Sequence, residues 1–322
     1  MLNSIFLALY PKVFINIVIG MQKMSIYAEI NSKNSVVDSE YRVFETTLLE
    51  KNVEKFIERF IEESPYFYIS ILDDSDYQGA VASCEESEIG KVCDLPTILS
   101  KCKNNWSYYT SKYELKKLQD RFSGIEFDFV FSPFSILSEF FKDKTDLKTT
   151  AFVLIEPRYV SFCIFDKSKL IFAKHLDLFG KRQKDQPSDK QDDLVLDGLD
   201  IESIDLDLDH NDFSDTLEEL EIGEAIESLS LDEKHQDSDI DIDSDDVGED
   251  YERFLLIKQA LDEFYESKYS EFIETIYIAN SLESAQNLKS YIEDELFLGV
   301  YVRKIDLALS VCDFAKAEVH AL

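Results

Sequence analysis

Between Asp185 and Asp250 the chain concentrates 27 acidic residues against two lysines, with almost no aromatic side chains. Runs such as DLDLDH and DSDIDIDSDD cannot bury enough apolar surface to offset the entropy of ordering, so residues 181–250 are expected to form a disordered acidic insertion. Whatever folds must therefore be built from the two flanking parts. The stretch also holds most of the net charge of −33, leaving −8 for the other 256 residues. Within it Leu217, Leu220, Ile222, Ile226 and Leu229 sit among glutamates, a pattern open to two readings: solvated filler, or a docking motif that folds on a partner.

The flanking parts are core-forming, since 45% of the chain is hydrophobic and 13% aromatic. No basic patch is present to neutralise phosphates, which argues against a nucleic-acid partner. Five cysteines, Cys84, Cys93, Cys102, Cys163 and Cys312, are odd in number and widely spaced. They are expected to be free thiols in a reducing compartment. Cys84, Cys93 and Cys102 recur every nine residues. There is no C-x-x-C pair, and His175, His210, His235 and His320 do not cluster near them, so no metal site is expected.

Residues 1–20 are apolar but lack the basic start and small-residue end of a signal peptide. Pro11 and Lys12 interrupt them too early for a membrane span. The reading preferred here is an N-terminal extension over 1–23, disordered or untranslated, with Met21 or Met24 as the start. A weak membrane anchor and a helix packed on the domain are the alternatives.

From Ser25 onward the text alternates. SIYAEI and EYRVFETTLL read as strands about a turn at 31–34. Val53, Phe56, Ile57, Phe60 and Ile61 form a helical stripe that Ser64-Pro65 ends. YFYISILD and YQGAVAS read as strands, 95–103 as helical, WSYYTS as a strand, and Leu115, Leu118 and Phe122 as a helix stopped by Gly124. IEFDFVF is the next strand, and Ser132-Pro133 opens a helix to Phe141. TTAFVLIE, VSFCIFD and LIFAKHLDL then form a meander turning at Pro157-Arg158 and Lys167-Ser168. After the insertion, Phe254, Ile257, Leu261, Phe264 and Lys268 mark a helix, FIETIYIAN a strand, Leu282, Ala285, Leu288 and Ile292 a helix, and LGVYVRKIDLA a last strand.

No P-loop, dinucleotide fingerprint, nucleophile elbow or zinc-protease helix is present, so no catalytic residue is assigned. DLDLDHNDFSD suggests calcium only superficially. Counted from Asp205, the positions that an EF-hand reserves for glycine and a bidentate glutamate hold His210 and Thr216.

The segment WSYYTSKYELKKLQDRFSGIEFDFVFSPFSILSEFF, with the meander after it, resembles the PilM family of type IV pilus proteins and the cytoplasmic actin-like domain of GspL proteins of type II secretion. YERFLLIKQALDEFYE, IETIYIAN and LGVYV resemble the close of that family, and the likeness spans most of 24–310 outside the insertion. It implies a two-lobed, duplicated RNase H-like α/β fold, with lobe 1 at 24–147 and lobe 2 at 148–180 plus 251–322.

Actin-like proteins that bind nucleotide use two glycine-bearing hairpins, where backbone amides approach the phosphates and a carboxylate holds hydrated magnesium. The resemblance puts these at Glu29-Ile30-Asn31 and Ile155-Glu156-Pro157, and the adenosine side at Ala279-Asn280-Ser281. All three lack glycine, and Pro157 removes a donor. Glu29, Asn31, Glu156, Ala279 and Asn280 are therefore read as vestigial, with no cofactor and no metal. The resemblance then implies a scaffold peripheral to the inner membrane on its cytoplasmic face. It would hold the cytoplasmic tail of a PilN-like single-span protein within an envelope machine of pilus, secretion, competence or flagellar-motor type. An actin-like ATPase of the same machinery and a membrane-anchored adaptor are the alternative readings.

Overall fold

The computed structural model describes residues 10–33, 35–146, 148–180, 244–267, 272–283 and 285–321. The expected disordered insertion, its Leu/Ile docking pattern and Lys268 lie outside the described residues or largely so. In chain order the elements are β1 (Lys12–Ile19), β2 (Met24–Ser32), β3 (Ser35–Phe44), α1 (Lys51–Ile61), β4 (Tyr66–Leu72), β5 (Gln78–Val81), α2 (Glu86–Ile89), β6 (Ile98–Lys103), β7 (Trp106–Ser111), α3 (Lys112–Arg121), β8 (Phe129–Phe131) and α4 (Pro133–Phe140). Then follow β9 (Thr150–Ile155), β10 (Tyr159–Asp166), β11 (Lys169–Asp177), α5 (Ser244–Glu266), β12 (Thr275–Asn280), α6 (Gln286–Leu296), β13 (Gly299–Lys304) and α7 (Leu307–Ala321).

Two five-stranded sheets repeat one plan, β3-β2-β1-β4-β8 and β11-β10-β9-β12-β13. In each, three strands run antiparallel as a meander and the next two join in parallel. A helix follows the meander (α1, α5) and another follows the last strand (α4, α7). This duplication is the two-lobed actin-like α/β architecture. A three-stranded sheet, β5-β7-β6, is inserted between β4 and α3.

The N-terminal expectation is corrected here. Lys12–Ile19 is the middle strand of the first sheet, antiparallel to β2 and parallel to β4. Val13, Ile15 and Ile17 join the core beneath α1, while Phe14 faces the core shared by both sheets. A strand covered on both faces reads as an unbroken apolar run, which a leader or membrane anchor also does.

Three large hydrophobic cores follow from this arrangement. Val53, Phe56, Ile57 and Phe60 of α1 cover one face of the first sheet, and Phe254, Ile257, Leu261 and Phe264 of α5 cover the corresponding face of the second. The inner faces meet in one continuous core holding Phe14, Leu72, Phe131 and Phe134 with Phe152, Leu154, Phe165 and Ala279. Burying each large side chain contributes about 1.5–3 kcal/mol, so the shared core fastens the two sheets firmly.

α7 was not anticipated in the sequence. Its Val311, Cys312, Ala315 and Val319 enter the shared core, and the helix packs on β1, β2 and β4. The end of the second lobe is thereby pinned on the first. Two further corrections concern the inserted sheet. Residues 98–103 are a strand and not a helix, preceded only by a 3₁₀ turn at Leu95–Thr97. Cys84 and Cys102 are joined by a disulfide with Cα atoms 5.3 Å apart, where five free thiols were expected. Cys93, Cys163 and Cys312 are free and buried.

Candidate functional site

The duplicated plan places the β1–β2 and β9–β10 hairpins at the same end of the two sheets. Between them lies a cleft with two adjoining compartments of about 600 and 740 Å³, both lined by Gly20, Met21, Glu156 and Pro157. The C-terminal end of β4 supplies Leu72, Asp73 and Asp74 to the first compartment, and Ser281 and the start of α7 wall the second. Ligands of open α/β sheets gather at the carboxyl ends of parallel strands, which is where Asp73 stands.

Of the residues singled out in the sequence, Glu156 is in the cleft. It begins the β9–β10 turn, which is closed by Glu156 N–H donating to the Tyr159 carbonyl at 2.9 Å. The side chain is only 8% exposed, and its Oε2 has no hydrogen-bond partner among the described residues. Burial, with the charges of Asp74 and Asp73 adding to it, pushes its carboxyl up to about 8. Ala279 and Asn280 end β12 beside Leu154 and Ile155. The Asn280 side chain is occupied locally, donating to Leu282 O at 3.2 Å and accepting from Leu282 N at 3.1 Å. Ser281 Oγ donates to Ile155 O at 2.7 Å and fixes that strand end against the hairpin.

Glu29 and Asn31 lie elsewhere, which corrects their assignment. They sit toward the far end of β2, where Glu29 accepts from Tyr27 Oη at 2.8 Å, Asn31 Nδ2 at 2.6 Å and Lys316 Nζ at 3.1 Å. The hairpin equivalent to 156–158 is Gly20–Lys23. It does contain a glycine: Gly20 N–H donates to Lys23 O at 2.8 Å, and a Cβ at Gly20 would stand 3.2 Å from that oxygen. Glycine is therefore absent from the second hairpin and the β12 end, but not from the first.

The sequence reading missed Gly20, Asp73, Asp74, Arg121, Arg158 and Tyr159. Asp73 is buried and its carboxyl raised, chiefly by burial. Its Oδ1 accepts from Ser75 N at 3.0 Å and Ser75 Oγ at 2.5 Å. Asp74 pairs with Arg121 at 2.9 Å. Arg158 is held by Asp76 at 2.7 Å and Asp177 at 2.9 Å. Tyr159 Oη donates to Asp76 Oδ1 at 2.6 Å and reaches Asp74 O at 3.1 Å. Behind the turn, buried Arg253 of α5 donates to Pro157 O at 3.3 Å. Both arginines lining the cleft are thus engaged with carboxylates, while Asp73 and Glu156 have no cationic partner among the described residues.

A domain of unknown function, DUF8569, matches residues 10–138, and a second, DUF8341, matches 151–320, more than half of the chain. The chain belongs to the DUF8341 family. The DUF8341 part carries the second sheet and α7, while the DUF8569 match begins before β1, in keeping with the strand's place inside the fold. No curated protein matches the chain. Among solved structures it is similar to a Bacteroides thetaiotaomicron protein with an actin-like ATPase fold and unknown function, at 11% identity and a TM-score of 0.47 over 92% of each chain. A PilM–PilN type IV pilus biogenesis complex gives 10% identity and 0.47 over 92% of this chain and 89% of that one. The activator of 2-hydroxyisocaproyl-CoA dehydratase from Clostridium difficile, with bound ADPNP, gives 8% and 0.41 over 97% and 98%. These likenesses concern the fold, and neither ligand nor partner carries over from them to the DUF8341 chain.

Proposed function

We propose that this protein is a non-catalytic scaffold that keeps an actin-like shape and has given up nucleotide chemistry. The observation that carries this reading is Glu156, a buried carboxyl at the turn where a phosphate-binding hairpin needs glycine and open amides. Pro157 removes a further donor, and Asp73 and Asp74 add negative charge on the opposite wall. A triphosphate entering there would meet a turn short of open amides, beside arginines, Arg121 and Arg158, that are already paired with carboxylates. Gly20 alone does not offset this, because one permissive hairpin leaves the second half of the phosphate cradle unmade.

The partner class follows from the resemblance to PilM: the cytoplasmic tail of a PilN-like single-span protein, in an envelope machine of pilus, secretion or flagellar-motor type. The protein would then work at the cytoplasmic face of the inner membrane, peripheral to it. Among the described residues no helix is long and apolar enough to cross a membrane.

Two measurements on the full chain test this. Calorimetry with a synthetic N-terminal tail of the single-span protein that co-purifies with it should show saturable one-to-one binding. A fluorescent ATP analogue with Mg²⁺ should show none at submicromolar concentration. Submicromolar nucleotide binding would overturn the reading in favour of an actin-like ATPase, and a tail that does not bind would remove the partner.

A further inference from the structure

We propose that the cleft between the two hairpins is a binding site for a single organic cation, an alkylammonium or guanidinium group, received by Glu156 with Asp73 and Asp74 around it. Three features carry this. Glu156 lines both compartments of the cleft, is more than nine-tenths buried, and keeps Oε2 without a partner among the described residues. Buried polar atoms are nearly always satisfied, so an unpartnered acceptor on a residue that lines the cavity points to a donor that the described residues do not supply.

The second feature is the sign of the charge. Arg121 and Arg158 are the cations of the first compartment, and each is already paired, with Asp74 and with Asp76 and Asp177. Asp73 has no cation beside it among the described residues, and Glu156 becomes a second unpaired negative charge once it gives up its proton, near pH 8. The third is the rest of the wall: Ile19, Leu48, Leu72 and Phe179 are carbon-rich. Such walls suit the alkyl stem of an amine whose charged head reaches the carboxylates. A metal ion fits less well, since no three Asp, Glu, His or Cys side chains among the described residues converge to ligate one. An ammonium or guanidinium needs only acceptors spread around it, with three or five N–H donors to offer.

A free amine and a lysine or arginine side chain of a partner present the same group, and the experiment separates them. The full chain is titrated at pH 8.5 with putrescine and agmatine, and in parallel with lysine and arginine capped at both backbone ends. At least one probe is expected to bind saturably, one to one, and Glu156→Gln to weaken that binding tenfold or more. Glu139→Gln, which removes a surface carboxylate outside the cleft, should leave it unchanged. Preference for the capped residues assigns the site to a partner side chain, and preference for the free amines to a small molecule; either supports the site. Should Glu156→Gln fail to fold, Asp74→Asn keeps the test: it leaves Arg121 unbalanced and should weaken binding several-fold. The proposal falls if no probe binds saturably, or if binding is the same in the cleft variants, which would put the cation on the acidic stretch 185–250. Failure here leaves the scaffold reading standing, because that reading rests on the tail peptide and the nucleotide.

Discussion

Lys316 Nζ lies 3.1 Å from Glu29 Oε1, joining α7 to β2 across 287 positions of sequence. Burial pushes the Glu29 carboxyl up, but hydrogen bonds from Tyr27, Asn31 and Lys316 outweigh it and hold the group below its ordinary 4.5. Lys316→Ala would leave a buried carboxylate without its cation. With the lysine side chain a quarter exposed, we expect a loss of about 2 kcal/mol, less than for a fully enclosed pair. Because the folded Glu29 titrates lower than the unfolded one, its contribution is present above pH 4.5 and is lost as pH falls through the folded value. Urea titrations of both proteins should therefore differ most at pH 7 and progressively less as pH falls below 4.5. A difference that does not shrink would refute the electrostatic account.

The middle position of β1 sets a second expectation. Ile15 is fully buried between Ala28 of β2 and Ile69 of β4, beneath α1. Ile15→Ala should cost about 2–5 kcal/mol, the range for a truncation deep in a core. An exposed tail would show a change within about 0.5 kcal/mol by the same denaturant measurement. A chain begun at Met21 or Met24 would lack the strand and should not fold.

Why β1 escaped the sequence reading explains what else was missed. The stripe through Val53, Phe56 and Phe60 was legible because α1 has one wet face. The turn at Lys167-Ser168 was legible because polar residues mark it, and both adopt positive φ, 47° and 66°. Lys12–Ile19 has no wet face, so its period cannot be seen. With that strand unread, the count of hairpins began one strand late, and Glu29 was given the place that belongs to Gly20. Glu156 falls in the β9–β10 turn, and that turn was legible because the whole meander was. Asp73 and Asp74 carried no motif; only the parallel pairing of β1 with β4 makes their strand end part of a cleft. The Cys84–Cys102 bond depends on how β5 and β6 flank β7, a tertiary fact.

The raised carboxyl of Glu156 predicts a pH dependence opposite to that of Glu29. Unfolded, it loses its proton near 4.5; folded, it keeps it until about 8. Its contribution is therefore complete below pH 4.5 and fades as pH rises to about 8. The titratable and charged groups lining its two compartments are Asp73 and Asp74 from the end of β4, Arg121, Arg158 and Tyr159 in the first, and Lys23, Tyr41, Lys304 and Asp306 in the second. Glu156→Gln should leave stability at pH 4 nearly unchanged and raise it at pH 8.5 by on the order of 2–3 kcal/mol. Denaturation midpoints at the two values, without added amine, measure this. A variant that is no more stable at pH 8.5 would mean the carboxylate is already satisfied by solvent.

The exposed disulfide offers the last test. Cys84 and Cys102 are both exposed and 18 positions apart, so the bond closes a short loop on the inserted sheet and is open to reductants. Cross-linking a loop of that length is worth about 3 kcal/mol through the unfolded chain. The shared core of the two large sheets includes neither cysteine. Reduction should therefore lower the melting temperature by several degrees without unfolding the protein at 25 °C, and the double variant Cys84→Ser, Cys102→Ser should match the reduced wild type. Trapping thiols with an alkylating agent in intact cells reads the bond directly. In a reducing compartment, as the proposed place at the cytoplasmic face requires, the pair should be found open. A fully oxidised pair in cells would move the protein to an oxidising compartment and would sink that placement.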